Sequence, residues 1–187
     1  MTQYAQDFYE IPEAVDENSE LQDRVLGLVA EEPIPGKVTE GGDRTETLRN
    51  ILSAFFEGEI SLQKSIQRIS EELPRHESRH AHSNRVFANG WDERLARTQI
   101  SRFYNQAVLL TLKEDGENEC FIPPSEHEDR DSSCTIQLAG GTAEIDSLLN
   151  RLNRAYSEGE WHEDVMIPDH PHCTHTVTPN EDRYRNG

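Results

Sequence analysis

Six residues near the end of the chain, His170-Pro171-His172-Cys173-Thr174-His175, bring three imidazoles and a thiol together. In extended backbone, alternate side chains face the same way, so Cys173 and His175 can grip one ion from one side. His170 lies close enough to Cys173 to close a loop on the same ion. Cys134, 36 residues before His170, is the expected fourth ligand and would pin its own loop to the end of the chain. Such a nitrogen and sulfur set at ~2.0–2.3 Å suits tetrahedral zinc. A closed zinc site supplies folding energy directly. The competing reading is a set of surface histidines, since no C-x-x-C pair is present. His172 points to the other side of such a strand and is the imidazole expected to be left out. Cys120 lies in an apolar stretch and reads first as a small buried hydrophobe, second as a ligand in place of one of the four.

Other catalytic signatures are missing. There is no nucleophile elbow, P-loop or dinucleotide-binding glycine turn. His162-Glu163 lacks the second histidine of H-E-x-x-H. The expectation is a protein that is not an enzyme. The enzymatic alternative is a zinc hydrolase, with Cys134, His170 and Cys173 as ligands, water in the fourth place and Glu163 or Asp169 as base. A zinc-stabilised intracellular adaptor is the alternative from a third class.

The elements that must position these donors are read from a chain of 187 residues with 36 Asp+Glu, 18 Lys+Arg and a formal charge of -18. Only 34% of residues are hydrophobic, so a zinc clasp or a partner would add to a lean core. The charge excludes non-specific nucleic-acid binding by the whole surface. Lys37, Lys64 and Lys113 are the only lysines. An acidic, lysine-poor composition suits work in very high salt, where repulsion is screened. No apolar run approaches the ~20 residues needed to cross a bilayer. The first residues have no basic or apolar leader region, which points to the cytoplasm or to something assembled there.

Residues 1–43 hold eleven acidic residues against Arg24 and Lys37, half of the net charge. They read as an extended arm with apolar anchors that orders on a partner, or as a plain disordered tail; Ser19 to Ala30 is the one stretch with helical patterning. A domain is expected over 44–180 and a flexible tail over 181–187. Leu48, Ile51, Leu52, Phe55 and Phe56 share one helix face. Gly58 ends that helix, Ser61 caps the next, and Leu62, Ile66, Ile69 and Leu73 form its stripe up to Pro74. The short connection makes an αα-hairpin. A long central helix is expected from about Asp92 to Lys113. Further expectations are a strand around 119–122, a polar loop to Cys134, a helix over about 143–156, and short strands at 165–167 and 174–177. The fold class is α+β, mainly helical, with a small zinc-closed β region.

Residues 75–102 form a positive island, with Arg75, Arg79, Arg85, Arg94 and Arg102 as candidate contacts to nucleic acid or to an acidic partner. The alternative is internal pairing, expected above all for Arg97, which would tie the central helix to Asp129 or Asp131.

Three segments resemble one family. Arg94-Leu95-Ala96-Arg97-Thr98-Gln99-Ile100-Ser101-Arg102-Phe103-Tyr104-Asn105 resembles the "ARTE…R.YN" helix of the phage head-morphogenesis family, the minor head proteins of the Mu F type. Asp129-Arg130-Asp131-Ser132-Ser133-Cys134, followed by Leu138-Ala139-Gly140, resembles its "D-R-(T/D)-x-x-C…L-x-G" turn. His170 to His175 resembles its "HPxCRC" ending, and Phe56 to Ser61 the "GxS" break before the ARTE helix. Order and rough spacing agree over about 45–179. This chain has one cysteine at the turn where the family often has a pair, has His175 in place of the last cysteine, and inserts a helix before the HPxC ending. The resemblance implies a minor capsid protein of a tailed virus, acting in head assembly and DNA packaging or delivery. Its implied partners are the portal protein, the major capsid protein and packaged DNA, with no membrane. Its implied place is the head interior or portal vertex, after assembly in the host cytoplasm. Composition adds a halophilic host.

Overall fold

The computed structural model describes residues 4–181. Of the expected tail, 182–187 lie outside the described residues. The fold class is as expected: α+β, mainly helical, with one small sheet.

The acidic first segment is not an extended arm. A 3-10 turn at Phe8–Glu10 leads into α1 (Ile11–Glu17) and α2 (Ser19–Glu31). The cap of α2 is Asn18, whose side chain accepts from Leu21 N. Phe8, Ile11, Val15, Leu21, Val25 and Val29 belong to the same apolar core as the rest of the chain. Glu13, Asp16, Glu17, Glu20, Asp23 and Glu31 face solvent. The physical reason is periodicity: the i, i+4, i+8 stripe Leu21-Val25-Val29 sorts apolar from acidic residues onto opposite faces. Charge density therefore does not prevent burial, worth about 1.5–3 kcal/mol for each large apolar side chain.

The helical hairpin forms from α3 (Arg44–Phe56) and α4 (Leu62–Glu72). Gly58 takes φ +77, which favours glycine, and Ser61 caps α4 through Lys64 N at 3.1 Å. The buried Arg44 side chain holds the end of α4, donating to Leu73 O at 2.9 Å and Pro74 O at 3.0 Å. The central helix α5 (Trp91–Glu114) packs against α2, α4 and α7 (Ile145–Leu152). It is buried on more than one face, including Gln99, Arg102, Asn105 and Gln106.

A three-stranded antiparallel sheet has the order β2-β1-β3, with β1 Glu119–Phe121, β2 Thr142–Glu144 and β3 Thr178–Pro179. The polar loop runs to Ser132, which caps a short helix not expected from the sequence, α6 (Ser133–Leu138), through Thr135 N at 3.3 Å. The expected helix over 143–156 is α7 continued by a π-helical turn at Asn153–Ser157. The expected strands at 165–167 and 174–177 are absent among the described residues, although Val165, Met166, Ile167 and 173–178 are buried. In the second segment, side chains take the amides a ladder would use. Thr174 N donates to Glu128 Oε2 at 2.8 Å and Val177 N to Asn105 Oδ1 at 3.0 Å. No described helix is long and apolar enough to cross a membrane.

Candidate metal centre

The turn before α6 is built by Asp129. Its carbonyl accepts from Ser132 Oγ at 2.9 Å and Thr135 Oγ1 at 2.7 Å, and its Oδ1 accepts from Asp131 N at 2.9 Å. This turn places Cys134 in the first turn of α6, fully buried. On the other side, Cys173 N donates to His170 O at 3.0 Å, a tight turn that brings both side chains to one place. The N-terminal segment braces it, with Phe8 N on Thr174 O at 2.8 Å.

The two turns meet. The sulfur atoms of Cys134 and Cys173 are 3.9 Å apart, and His170 Nε2 is 3.7 Å from Cys134 Sγ. Glu128 Oε1 lies 3.1 Å from His170 Nε2. One donor atom from each of Glu128, Cys134, His170 and Cys173 lies within 4.8 Å of the others, close enough to hold a metal ion. Three of these were expected from the sequence. Glu128 was not, because nothing in the pattern distinguishes one carboxylate among 36.

His175 is fully buried beside the group but is not one of the four. Its ring lies beside the Cys134 sulfur. Its Nε2 is 3.1 Å from Thr135 Oγ1, and its Nδ1 is 3.3 Å from Pro123 O. His172 is exposed and outside the group, as expected. Cys120 is buried in β1, its thiol on Ala143 O at 3.6 Å, and it too stands outside.

Two sulfurs and one carboxyl group make the centre attractive to a cation. The Cys173 thiol, then His170, His175 and Ser132, hydrogen-bond Cys134 and hold it far below the usual thiol range against the opposing effect of burial. Cys173 is pushed well above that range, by the hydrogen bond to Cys134 first and burial second. The Cys134 sulfur also raises His170, with Glu128 adding to it. For His175, burial pulls down, but the hydrogen bond to Cys134 and the charge there carry it upward. Asp169 is raised by burial, with Cys134 contributing, and its Oδ1 accepts from Met166 N at 3.1 Å. Glu163 is exposed.

The tie from Arg97 to Asp129 or Asp131 does not form. Both aspartates are exposed, and Asp129 is occupied with its own turn. Buried Arg97 stacks on Phe8 at 4.8 Å and Tyr9 at 5.6 Å, donates to Tyr9 Oη at 3.2 Å and reaches His172 O at 3.5 Å. The N-terminal segment, expected to be elsewhere, covers that face of α5. Arg102 is not a surface contact either: it is 0% exposed. Its Nη2 donates to Ser157 Oγ at 3.0 Å, with Glu32 at 3.9 Å, because its place on α5 faces α2 and the π-helical turn. Arg75 braces its own loop through Ala81 O at 2.7 Å and Asn84 at 2.7 Å, and Arg94 does so through Asn89 O at 2.7 Å. Arg79 and Arg85 are exposed.

No protein-family model, no curated protein and no solved structure matches the chain.

Proposed function

We propose that this chain is a minor capsid protein of a tailed virus, in which one zinc ion clasps the loop around Cys134 to the segment around Cys173. The supporting observation is the convergence of the three segments that resemble the head-morphogenesis family. The Cys134 turn and the His170–Cys173 turn share one cluster. The R-x-Y-N-like end of the motif helix binds the backbone just beyond it, through Asn105 and Val177. Zinc suits the donors, since two thiolates select a borderline ion over magnesium or calcium, and a tetrahedral shell matches two sulfurs, one nitrogen and one oxygen. When bound, the ion cross-links two parts of the chain. Its role in this reading is structural.

In the same reading the protein assembles in the host cytoplasm and sits at the portal vertex or inside the head, against the portal protein and the shell. Arg79 and Arg85 are the exposed arginines left to meet packaged DNA or an acidic portal surface. Arg75 and Arg94 stiffen the loop that carries them.

Purification of particles tests this. The protein should travel with intact heads at a few copies each and remain after a high-salt wash. Recovery only in the soluble fraction of infected cells, bound to a cellular protein, would overturn the reading in favour of an adaptor.

A further inference from the structure

We infer that Glu128 completes a four-ligand metal centre with Cys134, His170 and Cys173, and that His175 stands beside this centre, outside the ligand set. This rests on reading the cluster as a metal centre. It does not depend on the viral assignment.

The edges of the cluster are those of a coordination tetrahedron. Bond lengths of ~2.3 Å to sulfur and ~2.0–2.1 Å to nitrogen or oxygen give edges of about 3.8 Å between two sulfurs, about 3.5 Å from sulfur to nitrogen and about 3.3 Å from nitrogen to oxygen. The observed edges are 3.9, 3.7 and 3.1 Å. The other three lie within 4.8 Å, so a small contraction seats the ion.

Glu128 is oriented for the task. Its side chain is 3% exposed. Oε2 is held by Thr174 N at 2.8 Å and Thr174 Oγ1 at 3.4 Å, on the residue next to Cys173. That leaves Oε1 aimed at His170 Nε2 and the centre. A carboxylate fixed by outer hydrogen bonds in this way is a positioned ligand.

His175 is oriented against ligation. Its Nδ1 faces the Pro123 carbonyl, an acceptor. Its Nε2 faces Thr135 Oγ1, whose hydrogen goes to the Asp129 carbonyl at 2.7 Å. Both ring nitrogens thus face oxygen atoms outside the cluster. Ser132 Oγ lies 3.3 Å from the Cys134 sulfur, on the same side of the cluster.

The test uses the full chain loaded with zinc or with cobalt(II). The wild type should bind one ion per chain, with intense visible bands of four-coordinate cobalt. Glu128→Ala should weaken binding by at least 100-fold and reduce those bands. His175→Gln should keep one ion and the four-coordinate bands. Its affinity should stay within about 10-fold of the wild type, below the usual cost of losing a ligand. X-ray absorption at the zinc edge of the wild type needs no variant and should count one imidazole. Two imidazoles, or a His175→Gln protein that loses its metal while Glu128→Ala keeps it, would overturn the assignment. A wild type that binds no ion would remove the metal reading itself. Incorporation into particles would still decide the viral one.

Discussion

The side-chain oxygen of Asn105 accepts the backbone N–H of Val177 at 3.0 Å, across 72 residues of chain. Asn105 is fully buried, and its amide nitrogen is anchored on Ser101 O at 2.8 Å. The adjacent Tyr104 accepts Ala5 N at 2.8 Å, and Thr176 Oγ1 donates to Ala5 O at 2.7 Å. Two consecutive residues of the central helix therefore hold both outer segments of the fold.

Replacing Asn105 by Ala strands the Val177 amide in the interior. An unpaired buried donor costs about 1–3 kcal/mol. Urea unfolding should show a loss of that size, with faster hydrogen exchange at Val177. An unchanged midpoint would mean that the amide finds another acceptor.

Deletion of residues 1–18 removes Phe8, Ile11 and Val15, at 3%, 0% and 1% exposure. At about 1.5–3 kcal/mol each, their loss rivals the whole stability of about 5–15 kcal/mol typical of a domain. The shortened chain should lose its cooperative melting transition. The milder Ile11→Ala should cost about 2–5 kcal/mol. A deletion that melts like the full chain would restore the extended arm.

Burial lowers the Arg102 guanidinium to about 10, and Glu32 partly offsets this, so it remains cationic near neutral pH. It stacks on Phe103 at 4.0 Å, while Ser157 Oγ also donates to Glu32 Oε2 at 2.9 Å. Arg102→Ala removes one partner of this network and opens a void, for a loss of about 3–5 kcal/mol. Arg102→Met keeps most of the volume and should lose less. Calorimetric melting of the two variants checks the order.

Cys120 gives a pH signature. Burial raises its thiol from 9.0 to about 12. A raised acid favours the folded state below the unfolded value, and that contribution is lost as pH climbs from about 9 to about 12. At pH 8 the folded protein should therefore leave Cys120 unlabelled by iodoacetamide, read by mass spectrometry, while the unfolded chain reacts there. Labelling at equal rates would place the residue in contact with solvent.

The charge of -18 makes salt a lever. Screening in molar potassium chloride should raise the melting temperature above that in dilute buffer, by about 2–4 °C for each kcal/mol of repulsion removed. No rise would separate the acidic composition from adaptation to brine.

The sequence was most legible where one periodicity decided an element. Ser61, Gly58 and the stripe from Leu62 to Leu73 mark the hairpin without tertiary help. Cys134, His170 and Cys173 were legible because cysteine is scarce here and three imidazoles crowd around Cys173. Glu128 was hidden by the abundance of acids. Arg102 reads as a surface contact because an arginine on a helix has no local mark of burial; for Arg97 the internal role is legible and its partner is not. What buries them is the first segment and the π-helical turn, both distant in sequence. The segment 174–177 looked like a strand since alternation is visible and the destination of its amides is not.

The bond between Ala5 and Thr176 also bears on how the protein folds. The contact joins residues 171 positions apart, so the elements between them must come into place before it can close. The helical hairpin, built from sequence neighbours, has no such wait. A chain with the hairpin formed and this closure still open would present Phe8 and Ile11, core residues of the finished fold, as a sticky surface.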